Sequence, residues 1–174
     1  MNTANKLTML RVILIPIYVV VWYLQFAGNN LVALAIFIIA SVTDFIDGYV
    51  ARHYNQVTDF GKFMDPLADK VLVIASMICF CGMGRFPAWA LIIVIAREFA
   101  VSGLRMVAVD NGRVIAAGWS GKVKTFATMV CLCLLHLPIW NWLWWVCIAV
   151  IAVTTLYSGV EYFVKNKDVI NTNK

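Results

Sequence analysis

The sequence predicts an all-α integral membrane protein with six transmembrane helices. Of its 174 residues, 63% are hydrophobic and only 13% are charged, and the mean hydropathy is +0.85. A soluble domain of this length needs a far more polar surface. The apolar residues also fall into six stretches, each close to the roughly 20 residues that a helix needs to cross the hydrocarbon of a bilayer.

The six stretches occupy nearly the whole chain, so we expect a single membrane domain over residues 1–174. Lys6 and Arg11 interrupt the start of the first stretch, and a short helix along the membrane interface is an alternative for its opening turns. No small-residue cleavage site follows this stretch, so we do not expect a signal peptide. The predicted spans are 7–27, 31–51, 66–84, 86–109, 123–139 and 142–164.

The basic residues predict that both termini lie in the cytoplasm, because cytoplasmic loops are enriched in Lys and Arg. In this orientation the outer loops carry only Arg85, and Arg97 lies within the fourth span. Short loops and the absence of a targeting segment favour a bacterial inner membrane. The net charge of +5 fits attraction to anionic membrane lipid, and we expect no nucleic-acid partner. The cytoplasmic basic residues are Lys6, Arg11, Arg52, Lys62, Lys70, Arg105, Arg113, Lys122, Lys124, Lys165, Lys167 and Lys174.

Five of the nine acidic residues lie between residues 44 and 69, at the cytoplasmic ends of the second and third spans. Carboxylates within a membrane segment cost free energy, so they persist there mainly where they have a function. Asp44 and Asp47 are three residues apart and Asp65 and Asp69 are four apart, so on helices each pair projects from one face. Two such faces would together bind two divalent cations, Mg²⁺ or Mn²⁺. A metal-free carboxylate dyad that shares protons is the alternative.

Small and basic residues follow the first acidic pair on the same predicted helix. Gly48 and Ala51 would let a flat or phosphorylated ligand approach the backbone, although packing against another helix is the alternative for both. Arg52 can donate charge-assisted hydrogen bonds to a phosphate. The end of the second span therefore predicts a nucleotide-like ligand beside the acidic residues.

Polar residues also occupy the predicted linker between the second and third spans. Thr58 and Asp59 can hydrogen-bond a base or a ribose. Gly61 would allow a tight turn or a close approach of the ligand.

Cysteine and tryptophan residues have simpler interpretations. The five cysteines, two pairs of which have the spacing C-x-C, lie inside apolar stretches. Residues two apart on a helix point to different faces, so we expect buried free thiols and not a metal site or a disulfide framework. The run from Trp140 to Trp145 follows Pro138 at an outer turn and is typical of an interfacial aromatic belt. His136 is expected at the end of a helix.

The acidic pattern resembles a known family signature. It reads D-x2-D-G-x2-A-R-x8-G-x3-D-x3-D from Asp44 to Asp69 and is similar to the signature of the CDP-alcohol phosphatidyltransferase family, with every fixed position present. The resemblance extends to the six-helix architecture over nearly the whole chain. It implies that all four Asp hold the metals, that Asp69 is also the general base, and that the neighbouring positions bind the cytidine nucleotide of CDP-diacylglycerol. It also implies a homodimer.

Three further segments, 5–11, 96–105 and 120–125, are similar to the branch of this family that forms phosphatidylglycerophosphate. The branch resemblance adds Asn5 and Thr8 to the residues expected to bind CDP-diacylglycerol. It implies transfer of the phosphatidyl group to sn-glycerol 3-phosphate, with release of CMP. Direct displacement is expected, because no paired Ser–His or Cys–His lies near the motif.

A phosphorylated acceptor needs a cationic pocket, whereas serine or choline would not. Glu98 and Arg105 are seven apart and lie on nearly one helix face, but Arg97 is rotated away from Arg105. An internal salt bridge between Glu98 and an Arg, with lysines that only set the topology, is the alternative. Inositol phosphate is the alternative acceptor, because it presents a phosphate to the same cations. The candidate phosphate contacts are Arg11, Arg97, Arg105, Lys122 and Lys124.

A small proton- or ion-coupled transporter is the alternative from another functional class, because acids within a membrane often mark a translocation pathway. Transporters commonly have internal repeats and binding groups near the middle of the membrane. This sequence has no such repeat, and its acids gather at the cytoplasmic ends of two spans. The sequence therefore favours the enzyme.

Overall fold

The part of the chain that the structure describes contains seven helices joined by short connections, and no strand occurs in that part. The computed structural model describes the backbone of residues 3–24, 26–53, 59–110, 112–113, 115–116 and 118–170. Side chains are described for these residues with the exception of 3–8, 44–53, 59–67, 69 and 170. The helices are α1 (Thr3–Tyr23), α2 (Asn29–His53), α3 (Asp59–Gly82), α4 (Ala88–Asp110), α5 (Trp119–Leu135), α6 (Asn141–Lys165) and α7 (Lys167–Ile170).

Each predicted span corresponds to one of the first six helices. The largest difference is in α3, which begins at Asp59 although the predicted span begins at residue 66. Apolar composition marks only the part of a helix that hydrocarbon can surround, whereas the backbone hydrogen bonds continue into polar surroundings. Asp59 and Gly61 therefore lie in the first turn of α3 and not in a linker.

One helix, α6, is long and apolar enough to cross a membrane when the described residues are judged by length and composition. Three shorter apolar stretches, Met9–Tyr23, Asn29–Thr43 and Lys70–Gly82, lie in α1, α2 and α3. A single helix of this kind is also found in the cores of soluble proteins. Six membrane crossings with cytoplasmic termini therefore remain a prediction.

The chain divides into two compact units, of which the first consists of Met1–Met83 with His136–Pro138. Within it, α1 packs against both α2 and α3, and α2 contacts α3. This arrangement brings the three helices that carry the predicted nucleotide and metal residues into mutual contact.

The core of the first unit is aromatic and includes one buried imidazole. His136, which directly follows the end of α5 as predicted, lies 4.9 Å from Phe80 and 5.5 Å from Trp22 between ring centroids. The Tyr18 hydroxyl donates to Ser76 Oγ at 3.1 Å and lies 3.0 Å from His136 Nε2. All three polar side chains are buried, and their mutual hydrogen bonds offset the loss of contact with water.

The second unit consists of Gly84–Leu135 with Ile139–Lys174. In this unit α6 packs against both α4 and α5, and the short α7 packs against α4. A cluster of buried hydrophobic residues lies where α4, α6 and α7 meet. Its buried residues are Val101, Leu104, Ala108, Tyr162 and Val169.

A glycine ends α4 in the left-handed conformation. Gly112 has a φ of 71°, which residues with a side chain rarely adopt. Its N–H donates to the carbonyl of Val109 at 2.9 Å, and the N–H of Arg113 donates to the carbonyl of Ala108 at 2.8 Å. This pair of bonds is the Schellman motif, which satisfies the last carbonyls of a helix and turns the chain away from its axis.

All five cysteines are free thiols; Cys79, Cys131 and Cys147 are buried, and Cys81 and Cys133 are half-buried. Trp140, Trp142 and Trp145 are exposed, as residues of an interfacial belt would be. Trp144 is held differently: its Nε1–H donates to the carbonyl of Arg85, and the Arg85 guanidinium lies 5.8 Å from the centre of its ring.

Candidate active site

The four motif aspartates belong to two helices that contact each other. Asp44 and Asp47 lie in α2, and Asp65 and Asp69 lie in α3, so the members of each pair are about one turn apart. The side chains of these residues are outside the described set. The helical backbone at all four positions is what the predicted spacing requires.

The chemistry of this donor set fits hard divalent cations, which prefer carboxylate oxygens. Four carboxylates close together repel one another strongly unless cations or protons neutralise them. Among the side chains that the structure describes, no group of three or more His, Cys, Asp or Glu forms another candidate metal site.

The residues predicted to bind the nucleotide are distributed over α1, α2 and α3 of the first unit. Thr58 lies outside the described residues, and the side chains of the others are not described. The helix around Gly61 excludes a tight turn there, and a close approach of the ligand at this glycine stays a prediction. The predicted residues are Asn5 and Thr8 on α1, Gly48, Ala51 and Arg52 on α2, and Asp59 and Gly61 on α3.

The second unit contains a buried cluster of three charged side chains. Arg97 Nη1 donates to Glu98 Oε1 at 3.0 Å, and Lys124 Nζ donates to the same oxygen at 2.5 Å. The exposed fractions of the side chains are 13% for Arg97, 12% for Glu98 and 6% for Lys124. Charged groups buried to this degree are almost always paired. We call this arrangement the Arg97–Glu98–Lys124 cluster.

The other predicted acceptor contacts lie elsewhere. Arg105 Nε donates to the Tyr162 hydroxyl at 3.0 Å, with the Arg105 guanidinium 5.5 Å from the centre of the tyrosine ring. Lys122 is exposed on α5, because residues two apart on a helix face different sides. Arg11 is fully buried on α1 and belongs to the first unit. Of the four predicted cations in the second unit, the structure brings together Arg97 and Lys124.

Two glycines, Gly121 and Gly159, pack against Arg97, although the sequence did not predict them as part of the site. A Cβ on Gly159 of α6 would lie 3.2 Å from Arg97 Cγ, and one on Gly121 of α5 would lie 3.6 Å from Arg97 Nη2. Both glycines are within helices, where glycine is unfavourable by about 1 kcal/mol relative to alanine. A glycine inside a helical sequence pattern can indicate close packing, so the sequence could have indicated these two positions.

A cavity of 320 Å³ between α5 and α6 contains none of the predicted site residues. Its lining is mainly apolar, and Ser120, Thr154 and Glu161 supply its polar atoms beside Tyr157. This cavity therefore does not coincide with the chemistry that the sequence indicates.

Comparisons with known proteins agree with the predicted family. The model of the CDP-alcohol phosphatidyltransferase family matches residues 1–172. The chain is 41% identical to a CDP-diacylglycerol–glycerol-3-phosphate 3-phosphatidyltransferase of Bacillus subtilis (strain 168), over 99% of this chain and 98% of the relative. It is 43% identical to the protein of that name in Salmonella typhimurium, over 92% of both chains.

A third relative, a probable phosphatidylglycerophosphate synthase of Mycobacterium tuberculosis (strain H37Rv), is 36% identical over 92% of this chain and 79% of its own length. Identity at this level over nearly the full chain is accompanied by the complete acidic motif, which begins on α2 and ends on α3. The chain therefore belongs to the CDP-alcohol phosphatidyltransferase family.

Proposed function

We propose that the chain transfers the phosphatidyl group of CDP-diacylglycerol to sn-glycerol 3-phosphate, forming phosphatidylglycerophosphate and releasing CMP. The observation that carries this proposal is the near-complete match to relatives whose names state this reaction, at 41% and 43% identity. The segments around Asn5, Arg97 and Lys124, which are similar to the same branch of the family, agree with this acceptor.

Members of this family generally depend on a divalent metal. The residues that would hold two such cations are Asp44, Asp47, Asp65 and Asp69. When bound, Mg²⁺ or Mn²⁺ would neutralise the diphosphate and the charge that develops on the departing CMP.

The nucleotide would be bound by residues of α1, α2 and the start of α3. Arg52 would donate charge-assisted hydrogen bonds to a phosphate of CDP. Gly48, Ala51 and Gly61 would let the nucleotide approach the helix backbone. The other proposed contacts with CDP-diacylglycerol are Asn5, Thr8, Thr58 and Asp59.

Asp69 would act as the general base. It would accept the proton of the primary hydroxyl of glycerol 3-phosphate, for which the two oxygens must approach within hydrogen-bond distance. The hydroxyl oxygen then forms a bond to the β-phosphorus of CDP-diacylglycerol. The bond between this phosphorus and the bridging oxygen breaks at the same time, and CMP leaves with the electron pair.

The phosphate of the acceptor would be bound by the cations that the sequence predicts for it. Arg97 and Lys124 are the favoured contacts, because the Arg97 guanidinium and the Lys124 ammonium both donate to the same oxygen of Glu98 and so lie close together. Arg105, Lys122 and Arg11 remain proposed contacts from the sequence. Inositol phosphate is the alternative acceptor, since the same cations would bind its phosphate.

One substrate is a lipid and the other is soluble in water, so the reaction requires a site at the boundary between membrane and cytosol. We propose six membrane crossings, cytoplasmic termini and a bacterial inner membrane, with the site on the cytoplasmic side. A homodimer is proposed from the family resemblance.

The proposal is tested with purified protein in detergent, CDP-diacylglycerol and Mg²⁺ or Mn²⁺. Glycerol 3-phosphate, inositol 1-phosphate and serine are offered separately, and CMP and the lipid product are measured. We expect CMP and phosphatidylglycerophosphate only with glycerol 3-phosphate. Turnover only with another acceptor would contradict the proposed branch, and no CMP release by folded protein would favour the transporter.

A further inference from the structure

One carboxylate oxygen in the second unit accepts hydrogen bonds from two cations on different helices. Glu98 Oε1 bonds Arg97 of its own helix α4 and Lys124 of α5. Neither distance needs a bridging water, since both are at most 3.0 Å. The shared oxygen therefore fixes the Lys124 ammonium beside the Arg97 guanidinium.

The three groups of the Arg97–Glu98–Lys124 cluster together carry one net positive charge. Arg97 Nε is buried and has no hydrogen-bond partner among the described residues. An unsatisfied donor on a buried charged group destabilises the fold, because it has lost its hydrogen bonds with water. An anion with several acceptor oxygens would relieve this cost and would balance the remaining charge.

The guanidinium of this cluster is also confined by its neighbours. A Cβ on Gly159 would lie 3.2 Å from Arg97 Cγ, closer than ordinary contact, and a Cβ on Gly121 would be in ordinary contact with Arg97 Nη2 at 3.6 Å. The side chain is thus limited in the positions it can occupy, which reduces the entropy lost when it binds a ligand.

We propose that Glu98 is a positioning residue that holds Arg97 and Lys124 together as the contact for the phosphate of the acceptor. This inference rests on the proposed function. Glu98 does not touch the reacting atoms; it sets the separation of the two cations and neutralises one of their charges. A phosphate monoester, which offers three acceptor oxygens, matches this pair of donors better than a neutral alcohol does.

The first test compares Glu98→Gln with Glu98→Asp and with Glu161→Gln, a control in which a half-buried glutamate on α6 loses its charge. We expect Glu98→Gln to raise the KM for glycerol 3-phosphate by about tenfold and to change kcat by less than about twofold. Without Glu98, Arg97 and Lys124 are no longer held together, and the phosphate contact that they make equally in the ground and transition states is weakened. Glu98→Asp should recover part of this loss. The KM for CDP-diacylglycerol should stay unchanged in all three variants.

An unchanged KM for glycerol 3-phosphate in Glu98→Gln, or an equal rise in both KM values, would overturn the inference and indicate a purely structural carboxylate. Wild-type protein that forms no phosphatidylglycerophosphate would instead overturn the proposed function. The variant therefore tests the inference, and the wild type tests the proposed function, in the same assay.

A second test uses the wild type alone and so does not depend on the folding of a variant. The rate at which an amine-reactive reagent modifies Lys124 is measured by mass spectrometry, with the exposed Lys167 as internal reference. Glycerol 3-phosphate should protect Lys124, whereas glycerol should not. If phosphatidic acid in mixed micelles protects Lys124 and glycerol 3-phosphate does not, the cluster binds a lipid phosphate and the inference is overturned. The inference is also overturned if neither compound protects Lys124.

Discussion

At the scale of single residues, the cations of the second unit differ in the side chain that each of them contacts. Arg97 and Lys124 share Glu98, while Arg105 is held by the hydroxyl and ring of Tyr162. Helical geometry predicted that Arg97 and Arg105 point in different directions. It could not predict that Lys124 reaches Glu98, because that contact depends on how two helices pack and not on spacing within one helix.

Removal of the Tyr162 hydroxyl tests how Arg105 is held. Tyr162→Phe removes the hydrogen bond at 3.0 Å but keeps the ring 5.5 Å from the guanidinium. A hydrogen bond to a charged group contributes about 1.5–3 kcal/mol, so we expect a loss of stability of that order in thermal unfolding. Tyr157→Phe, at an exposed position on α6, is the control. Equal unfolding temperatures for the two variants would contradict this role of the hydroxyl.

At the scale of elements, the start of α3 shows what apolar composition cannot predict. The acidic and polar residues before residue 66 excluded this segment from the predicted span, yet the helix begins at Asp59. Both motif aspartates of α3, Asp65 and Asp69, consequently lie within continuous helix. The prediction that each acidic pair is carried by a helix depended only on spacing and agrees with the backbone.

The contact between α4 and α6 depends on the absence of a side chain at Gly159. A Cβ there would lie 3.2 Å from Arg97 Cγ, closer than ordinary van der Waals contact, so Gly159→Ala should displace Arg97 by a few tenths of an ångström. We expect a rise of about two- to fivefold in the KM for glycerol 3-phosphate, because small misplacements weaken binding contacts. Gly103→Ala on α4, where a Cβ meets open space, is the matched control. The expectation fails if both variants have the wild-type KM.

The short α7 should be sensitive to acid. Arg113 donates a hydrogen bond to Asp168, and this bond lowers the pKa of the Asp168 carboxyl. The depressed pKa means that the carboxylate stabilises the fold above its unfolded pKa of about 3.9, and that this contribution is lost as the pH falls through the folded pKa. Both side chains are about half exposed, so the effect is small.

Thermal unfolding of the wild type and Asp168→Asn between pH 7 and pH 3 measures this contribution. The wild type should be slightly more stable at pH 7, and the difference should become smaller as the pH falls below the unfolded pKa of about 3.9. A difference that is the same at both pH values would show that the carboxylate charge is not responsible.

At the scale of the whole molecule, the family was predictable from the sequence, because the acidic pattern is specific and the match covers residues 1–172. The six membrane crossings stay a prediction, because among the described residues only α6 is long and apolar enough to cross a membrane. The Arg97–Glu98–Lys124 cluster was only partly predictable. The positions of its side chains depend on packing between helices, which single-sequence periodicity does not contain.

The proposed topology is tested by labelling introduced cysteines with a membrane-impermeant maleimide in intact bacterial cells. Arg85→Cys should react from outside, whereas Lys167→Cys on α7 should react only after the membrane is opened. The five native cysteines are buried or half-buried, and the unmodified protein gives their background. Labelling of position 167 in intact cells would contradict cytoplasmic placement of the C-terminus.

The proposal that the acidic motif on α2 and α3 performs phosphatidyl transfer is tested by the release of CMP from wild type, Asp69→Asn and the control Asp168→Asn. Each purified protein is supplied with CDP-diacylglycerol, glycerol 3-phosphate and Mg²⁺, and circular dichroism verifies that each is folded. Loss of a general base should lower the rate of Asp69→Asn by at least about 100-fold, while Asp168→Asn keeps the wild-type rate. A folded Asp69→Asn protein that releases CMP at the wild-type rate would contradict the account.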